Sequence, residues 1–382
     1  MVSKKEIYLD YAASALPNPS SIHVSGINAK KKLEEARKIV ARVLGARTSE
    51  IIFTSGATES NNLAIQGVVF AVTDRNFLPH IITTNIEHPS VLETFKLLEK
   101  RKFAEISIIP VETNGIVNPK KIKKEIRKNT VLISVMYANN EIGTIQPIKE
   151  ISKVVRFYNK TNSNKVFFHT DATQAVSYLD LNVERLGVDL LSLSGAKIEG
   201  AGRVGVLHKR ASVQLANVFG GGDQEMGLRP GTENLPEIVK FAQALKMAQD
   251  LKEKEVKRLT TLRNYFLDQL SHSNILTNFG MTINGDLENR LPNNVNVTFP
   301  KIPSDLIVVE LSAKGIMTSS KSACKSGEAG GSYVIKAICK KPNRNIGGIR
   351  FSLGRDTKKS DIDYTVKSLS EILQKLKKWY NV

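Results

Sequence analysis

Short apolar runs recur along the first two thirds of the chain: Ile51 to Thr54, Ile81 to Thr84, Ile106 to Ile109, Val131 to Tyr137, Val166 to His169, Leu190 to Leu193 and Val204 to His208. Between them lie stretches such as AKKKLEEARKIVARVL, ESNNLAIQGVVFAV, HPSVLETFKLLEK and IKEISKVVRFY, apolar at i, i+3, i+4 spacing. Strand and helix in alternation predict a mostly parallel sheet covered on both faces. From Ala242 to Leu270 a long, charged helical stretch reads as a bridge between domains. Beyond it, strand-like NNVNVTF and GGIRFSLG mix with helices, including the terminal SDIDYTVKSLSEILQKLKKW. The expected organisation is α/β: a large mostly parallel-sheet domain over 17–250, and a smaller α+β domain formed by 1–16 and 251–382.

Composition narrows the class. The chain has 382 residues, 41% hydrophobic and 24% charged, enough for a sizeable core. No apolar run reaches the roughly 18 residues that span a bilayer, and MVSKKEIYLDYAAS lacks the apolar core of a secretory signal. No membrane association is expected. Two cysteines, Cys324 and Cys339, make no disulfide framework and fit a reducing cytoplasm. Six scattered histidines without H-x-x-H or C-x-x-C pairs predict no metal site. The net charge of +18 raises the question of a nucleic-acid partner. However, the lysines of KKIKKEIRK, KEKEVKR and LQKLKKWY mostly alternate with apolar residues at helical spacing, and read as solvated helix faces.

Candidate chemistry gathers after the strands, where open α/β sheets place their ligands. After the first run, the turn TSGATESNN opens a helix, and free N–H groups there make an anion cradle. After Val166 to His169 comes Asp171, a carboxylate that burial would oblige to find a cationic partner or a hydrogen bond; taken alone it is equally an N-cap. At the end of the next run stands Lys197, in SLSGAKIEGAG. An aldehyde-bearing, phosphorylated heterocycle would engage all three, which is the chemistry of pyridoxal 5'-phosphate.

The stretches YLDYAAS, IIFTSGATESNN, EHPSV, ANNEIGTIQPI, HTDATQAV, SLSGAK, GGGDQEMGLRPGTEN, SSKSAC and IRFSLGR, in this order, run nearly end to end. The chain resembles the cysteine desulfurases of the iron–sulfur-cluster and nitrogen-fixation type, which are class-V aminotransferase-like enzymes of the fold-type I (aspartate aminotransferase-like) pyridoxal phosphate group. The resemblance implies that Lys197 is the Schiff-base lysine and Asp171 the partner of the pyridine nitrogen. It implies that Gln174 and Asn140 bond the phenolic oxygen, with Asn140 also facing the substrate, and that His88 stacks on the ring and assists proton transfer. Ala57, Thr58 and Ser194 would hold the phosphate. Thr232 would hold the phosphate of the neighbouring subunit, making a homodimer part of the site. Cys324 would be the nucleophile that takes sulfur from L-cysteine, in a polar, glycine-rich stretch where Lys321 and Lys325 favour its thiolate. Arg350 would bind the substrate carboxylate. A protein acceptor would then take the sulfur, and cluster scaffold, tRNA-thiolation relay, cofactor biosynthesis and DNA modification all remain open for it.

The chain also departs from that pattern. Ala196 stands where relatives usually carry a histidine that donates to the cofactor phosphate, a bond worth roughly 1.5–3 kcal/mol. IEGAGRVG replaces the usual glycine–proline–lysine turn, with Arg203 as a candidate charge. A helix between YAASAL and NPSSIH is missing, and Lys321 replaces a glycine. Two alternatives accompany the main reading: a selenocysteine or other pyridoxal phosphate lyase, and a degenerate homologue acting as a binding or regulatory partner. Retention of Lys197, Asp171, His88, Gln174, Cys324 and Arg350 together argues against the second.

Overall fold

The computed structural model describes residues 7–72, 77–320, 331–339 and 347–380. Seven strands form the main sheet: β1 (Ile51–Thr54), β2 (His80–Thr84), β3 (Glu105–Ile109), β4 (Thr130–Ser134), β5 (Phe167–Asp171), β6 (Leu190–Ser194) and β7 (Gly205–Lys209). Their order is β1-β7-β6-β5-β4-β2-β3. Only β7 runs against its neighbours, pairing antiparallel with both β1 and β6, and the other pairs are parallel. The uniform apolarity of the runs has a direct cause, because successive side chains point to opposite faces. Ile51 and Phe53 enter one apolar layer and Ile52 the other; Ile82, Ile133 and Leu191 are likewise separated from Ile81, Leu132 and Leu190.

Strand limits shift where side chains intervene. The run Val131 to Tyr137 keeps following β5, with Val135 N donating to His169 O and Tyr137 N to Asp171 O. The strand nonetheless ends at Ser134, because the N–H of Met136 goes to the carboxyl of Glu87. On the other side, β5 extends to Asp171, which pairs with Ser192.

The stretch read as one long helix is two, Leu235–Asp250 and Lys252–His272, meeting at Leu251. The first buries Phe241, Ala242 and Leu245 against the main sheet; the second buries Leu259, Phe266 and Leu270 against a second, three-stranded sheet. That sheet contains β8 (Thr282–Ile283), β9 (Asn294–Thr298) and β10 (Ile349–Ser352), ordered β10-β9-β8 and antiparallel throughout. The terminal helix Lys359–Leu376 packs into the same core through Ile362, Leu369 and Leu373. The short helix Tyr333–Ile338 instead places Val334, Ile335 and Ile338 in the core of the main sheet. Among the described residues, no helix is long and apolar enough to cross a membrane.

Candidate active site

Segments at and after the ends of β1, β2, β4, β5 and β6, together with Arg350 of β10, carry the polar groups of the site. After β1, the turn Thr54–Gly56 leads into the helix Ala57–Phe70, whose start no side chain caps. The Ser55 N–H and hydroxyl both donate to Glu59, which also accepts from Arg229 Nε at 2.9 Å. The turn is pressed from behind by β7: a Cβ on Gly205 would lie 2.3 Å from Thr54 Oγ1 and 2.5 Å from the Gly56 carbonyl carbon. In front it is open, since a Cβ on Gly56 would meet nothing within 4 Å. Ala57 and Thr58 therefore sit on an uncapped helix start that can receive an anion.

After β2 come Glu87 and His88. Glu87 is fully buried, accepting from Thr84 Oγ1 at 2.6 Å and from Met136 N at 2.9 Å. Burial, aided by the charge of Asp171 and opposed by these bonds, pushes its carboxyl up to about 8. Tyr333 Oη donates to the Glu87 carbonyl at 2.6 Å, fastening the helix Tyr333–Ile338 to this turn. His88 caps the helix Pro89–Lys100, its Nδ1 accepting from Ser90 N at 3.1 Å. Burial lowers its pKa; the Asp171 charge opposes that and the Lys197 charge adds to it. The ring thus lies within electrostatic reach of both.

After β4, Asn139 Oδ1 accepts from Glu141 N and Ile142 N and holds the loop that carries Asn140. Arg350 of β10 reaches this loop from the small sheet, Nη1 donating to the Asn140 carbonyl at 2.9 Å. Arg350 Nε and Asn140 Oδ1 are both buried with no hydrogen-bond partner among the described residues. Burial lowers the Arg350 pKa, and the neighbouring Glu141 opposes the shift. Glu141 is itself buried, accepting from Ser332 Oγ, while its carbonyl accepts from Asn294 Nδ2 and Asn296 Nδ2.

At the end of β5, Asp171 accepts from Asn61 Nδ2 at 2.8 Å and from Thr173 N at 3.0 Å. One pleat back, His169 lies between Ser134 Oγ and Ser192 Oγ, and burial lowers its pKa to about 4. At the end of β6, Ser194 is buried and followed by a tight turn, Gly195–Lys197. The lysine that closes an apolar run in the sequence is therefore exposed, one turn beyond the strand.

The structure brings Lys197, His88 and Asp171 within charge range, and bonds Asn140 to Arg350. Gln174 is half-buried and Thr232 exposed, and no hydrogen bond among the described residues ties either to that group. Cys324 lies outside the described residues. Sequence reading missed Asn61, Ser90, Glu87 and Glu141. Asn61 carried a signal: with Ala64, Ile65 and Val68 it occupies the apolar stripe of its helix, where a polar residue is out of place. Among the described residues, no cluster of three or more His, Cys, Asp or Glu is arranged to hold a metal.

The donor set suits pyridoxal phosphate and an amino acid: an uncapped helix start for phosphate, a buried carboxylate for a protonated ring nitrogen, an exposed amine, and an unpaired buried guanidinium N–H for a carboxylate. The aminotransferase class-V family pattern matches residues 2–365. A cysteine desulfurase IscS from Dictyoglomus turgidum is 42% identical over 98% of this chain and 96% of its own length. A solved NifS-like protein superposes with a TM-score of 0.84 at 36% identity, covering 94% of this chain and 91% of that one. The structure titled SspA in complex with cysteine gives 0.73 at 32% identity, with coverage of 90% and 92%. The chain belongs to the cysteine desulfurase family, within the class-V aminotransferases.

Proposed function

We propose that this protein is a pyridoxal phosphate-dependent cysteine desulfurase that converts L-cysteine to L-alanine and leaves the sulfur as a persulfide on Cys324. The observation that carries the reading is the Arg350–Asn140 contact. A half-buried guanidinium with Nη1 satisfied and a buried Nε that has no partner among the described residues needs an anion, and an α-carboxylate supplies one in fork geometry. Asn140 Oδ1, unpaired in the same loop, offers an acceptor to the substrate or cofactor side.

When bound, pyridoxal phosphate draws electrons from the substrate α-carbon. The helix start at Ala57 and Thr58, with Ser194, would hold its phosphate, Asp171 its ring nitrogen, and Gln174 with Asn140 its phenolic oxygen. Lys197 would hold the cofactor covalently at rest and would move the α-proton once substrate has taken its place. The Cys324 thiolate attacks the substrate sulfur. An S–S bond forms as the C–S bond breaks, and the electron pair stays with the β-carbon, which takes up a proton to become the methyl of alanine. The persulfide then passes to a protein acceptor.

The division into 17–250 and 1–16 with 251–382, a homodimer in which Thr232 serves the neighbouring subunit's phosphate, and a cytoplasmic location belong to the same proposal. The test is direct. Protein purified with pyridoxal phosphate should show the visible absorption of a lysine-bound cofactor and release alanine and sulfide from L-cysteine. Lys197→Ala should lose the absorption and at least about 10³-fold in rate. Cys324→Ser should keep the absorption and lose persulfide. A colourless protein that releases no alanine would overturn the reading, and a strong preference for selenocysteine would move it to the lyase alternative.

A further inference from the structure

Nδ1 of His88 is bonded to more than the backbone of its own helix. Ser90 Oγ lies 2.8 Å from it, and Asn61 Nδ2 lies 2.9 Å from that hydroxyl oxygen and 2.8 Å from Asp171 Oδ2. The donor roles along this chain follow from one end. An ionised carboxylate only accepts, so Asn61 turns its NH2 toward Asp171, and the same nitrogen donates to Ser90 Oγ. A hydroxyl has one hydrogen, and with its oxygen accepting from Asn61 that hydrogen goes to His88 Nδ1. Nδ1 also accepts the Ser90 N–H at 3.1 Å, so the two donors share its one in-plane lone pair. It therefore carries no proton, and the neutral ring keeps its hydrogen on Nε2.

Two further observations bear on this chain of bonds. Asn61, Ser90 and Asp171 are 0%, 8% and 5% exposed, so bulk water competes little for the contacts. Among the described residues, Asn61 Oδ1 is buried without a partner, a cost that comes from aiming the nitrogen at both acceptors. Among the described residues, the charged groups acting on His88 are Asp171, from the end of β5, and Lys197, from the turn after β6. Lys197 works with burial to keep the ring neutral and Asp171 works against it.

We propose that Asn61 and Ser90 are positioning residues that tie the Asp171 carboxylate to the His88 ring and hold that ring as a neutral Nε2–H donor, leaving Lys197 to carry the substrate α-proton. The proposal rests on the functional reading above only in naming that proton. Ser90 acts through its hydroxyl and Asn61 through its two N–H bonds; neither needs to touch the substrate.

The experiment is NMR of protein labelled with ¹⁵N-histidine, using long-range ring correlations to read tautomer and titration, with His88 assigned by its absence in His88→Gln. At neutral pH the wild type should show His88 with hydrogen on Nε2. Ser90→Ala removes one donor to Nδ1 and should move the ring's protonation equilibrium toward the charged form by about three- to tenfold. Ser90→Thr, which keeps the hydroxyl, should restore it. Asn61→Leu should give the same shift and weaken cofactor retention; if that variant does not fold, the Ser90→Ala and Ser90→Thr pair decides. An Nδ1–H ring in the wild type, or an unchanged His88 titration in Ser90→Ala, overturns the proposal. Spectra recorded with and without added pyridoxal phosphate keep the two readings apart: a protein that binds no cofactor sinks the functional reading, while the tautomer still decides the relay.

Discussion

In the main sheet both faces carry apolar layers, with a few buried polar side chains such as His169 between Ser134 and Ser192, and the polar groups with chemical roles gather at the strand ends and just beyond them. The small sheet divides its faces. β9 turns Val295 and Val297 into its core, while Asn294, Asn296 and Thr298, also buried, form a polar face. Asn284 Nδ2 donates to Asn296 Oδ1 and Thr298 Oγ1, each at 2.7 Å, and Asn294 and Asn296 donate to the Glu141 carbonyl. The main sheet thus packs along its length and keeps its chemistry at the ends of its strands, whereas the small sheet's buried amides reach the loop that carries Asn140. Core damage in the main sheet should cost stability and spare substrate affinity; damage to the polar face of the small sheet should cost both.

Within this contrast, the largest effect is expected at Arg350. Arg350→Lys keeps a charge but loses the fork, and a charge-assisted hydrogen bond worth about 1.5–3 kcal/mol should disappear. The expected outcome in steady-state kinetics is a fall in kcat/KM for L-cysteine of about 10- to 100-fold, mostly in KM, with cofactor retention unchanged. An unchanged KM would remove the small sheet from substrate binding. Next comes a matched pair. Asn296→Val leaves Asn284 Nδ2 and the Glu141 carbonyl each short of a partner, costing about 1–3 kcal/mol and raising KM. Ile52→Val should cost about 0.5–1.5 kcal/mol in denaturant melts without moving KM. If both raise KM equally, the contrast fails.

The smallest effect is one of slope. The Glu87 carboxyl has its pKa raised by burial from 4.5 to about 8, so between those values the folded state binds a proton that the unfolded state has released. Its stabilisation is complete below about pH 4.5 and is lost as pH rises through about 8. Glu87→Gln should flatten the stability curve across that window, measured by thermal melts at several pH values. A wild type equally stable across it would contradict the buried, protonated state.

Most strands of the main sheet were legible because their runs are predominantly apolar and buried, the edge strand β3 being the most exposed, and the sequence runs match the strands to within a few residues. The exceptions have causes outside the run: Glu87, 49 positions away, takes the N–H of Met136 and ends β4 early. The break at Leu251 was hidden because the residue keeps near-helical angles, φ −91° and ψ −7°, which interrupt no periodicity. Lys197, Asp171 and Arg350 could be found as charges beside apolar runs within motifs. The polar face of β9 could not, because an asparagine reads as surface until its partner is known, and Glu141 lies 155 residues from Asn296. The bonds from Asn61 to Ser90 and Asp171 span 29 and 110 positions and leave no local trace beyond one polar residue on an apolar stripe.

Consecutive carbonyls of one loop, those of Asn140 and Glu141, accept from Arg350 of β10 and from Asn294 and Asn296 of β9. Whatever occupies the Arg350 guanidinium therefore binds only while both strands are docked, which makes local opening of this sheet and substrate occupancy linked equilibria. By mass action, an unreactive amino acid at a hundred times its Kd should deepen the docked state by about 2.7 kcal/mol. Amide exchange at Val295 and Val297 would then slow about a hundredfold, while exchange inside β1 and β7 stays where it was.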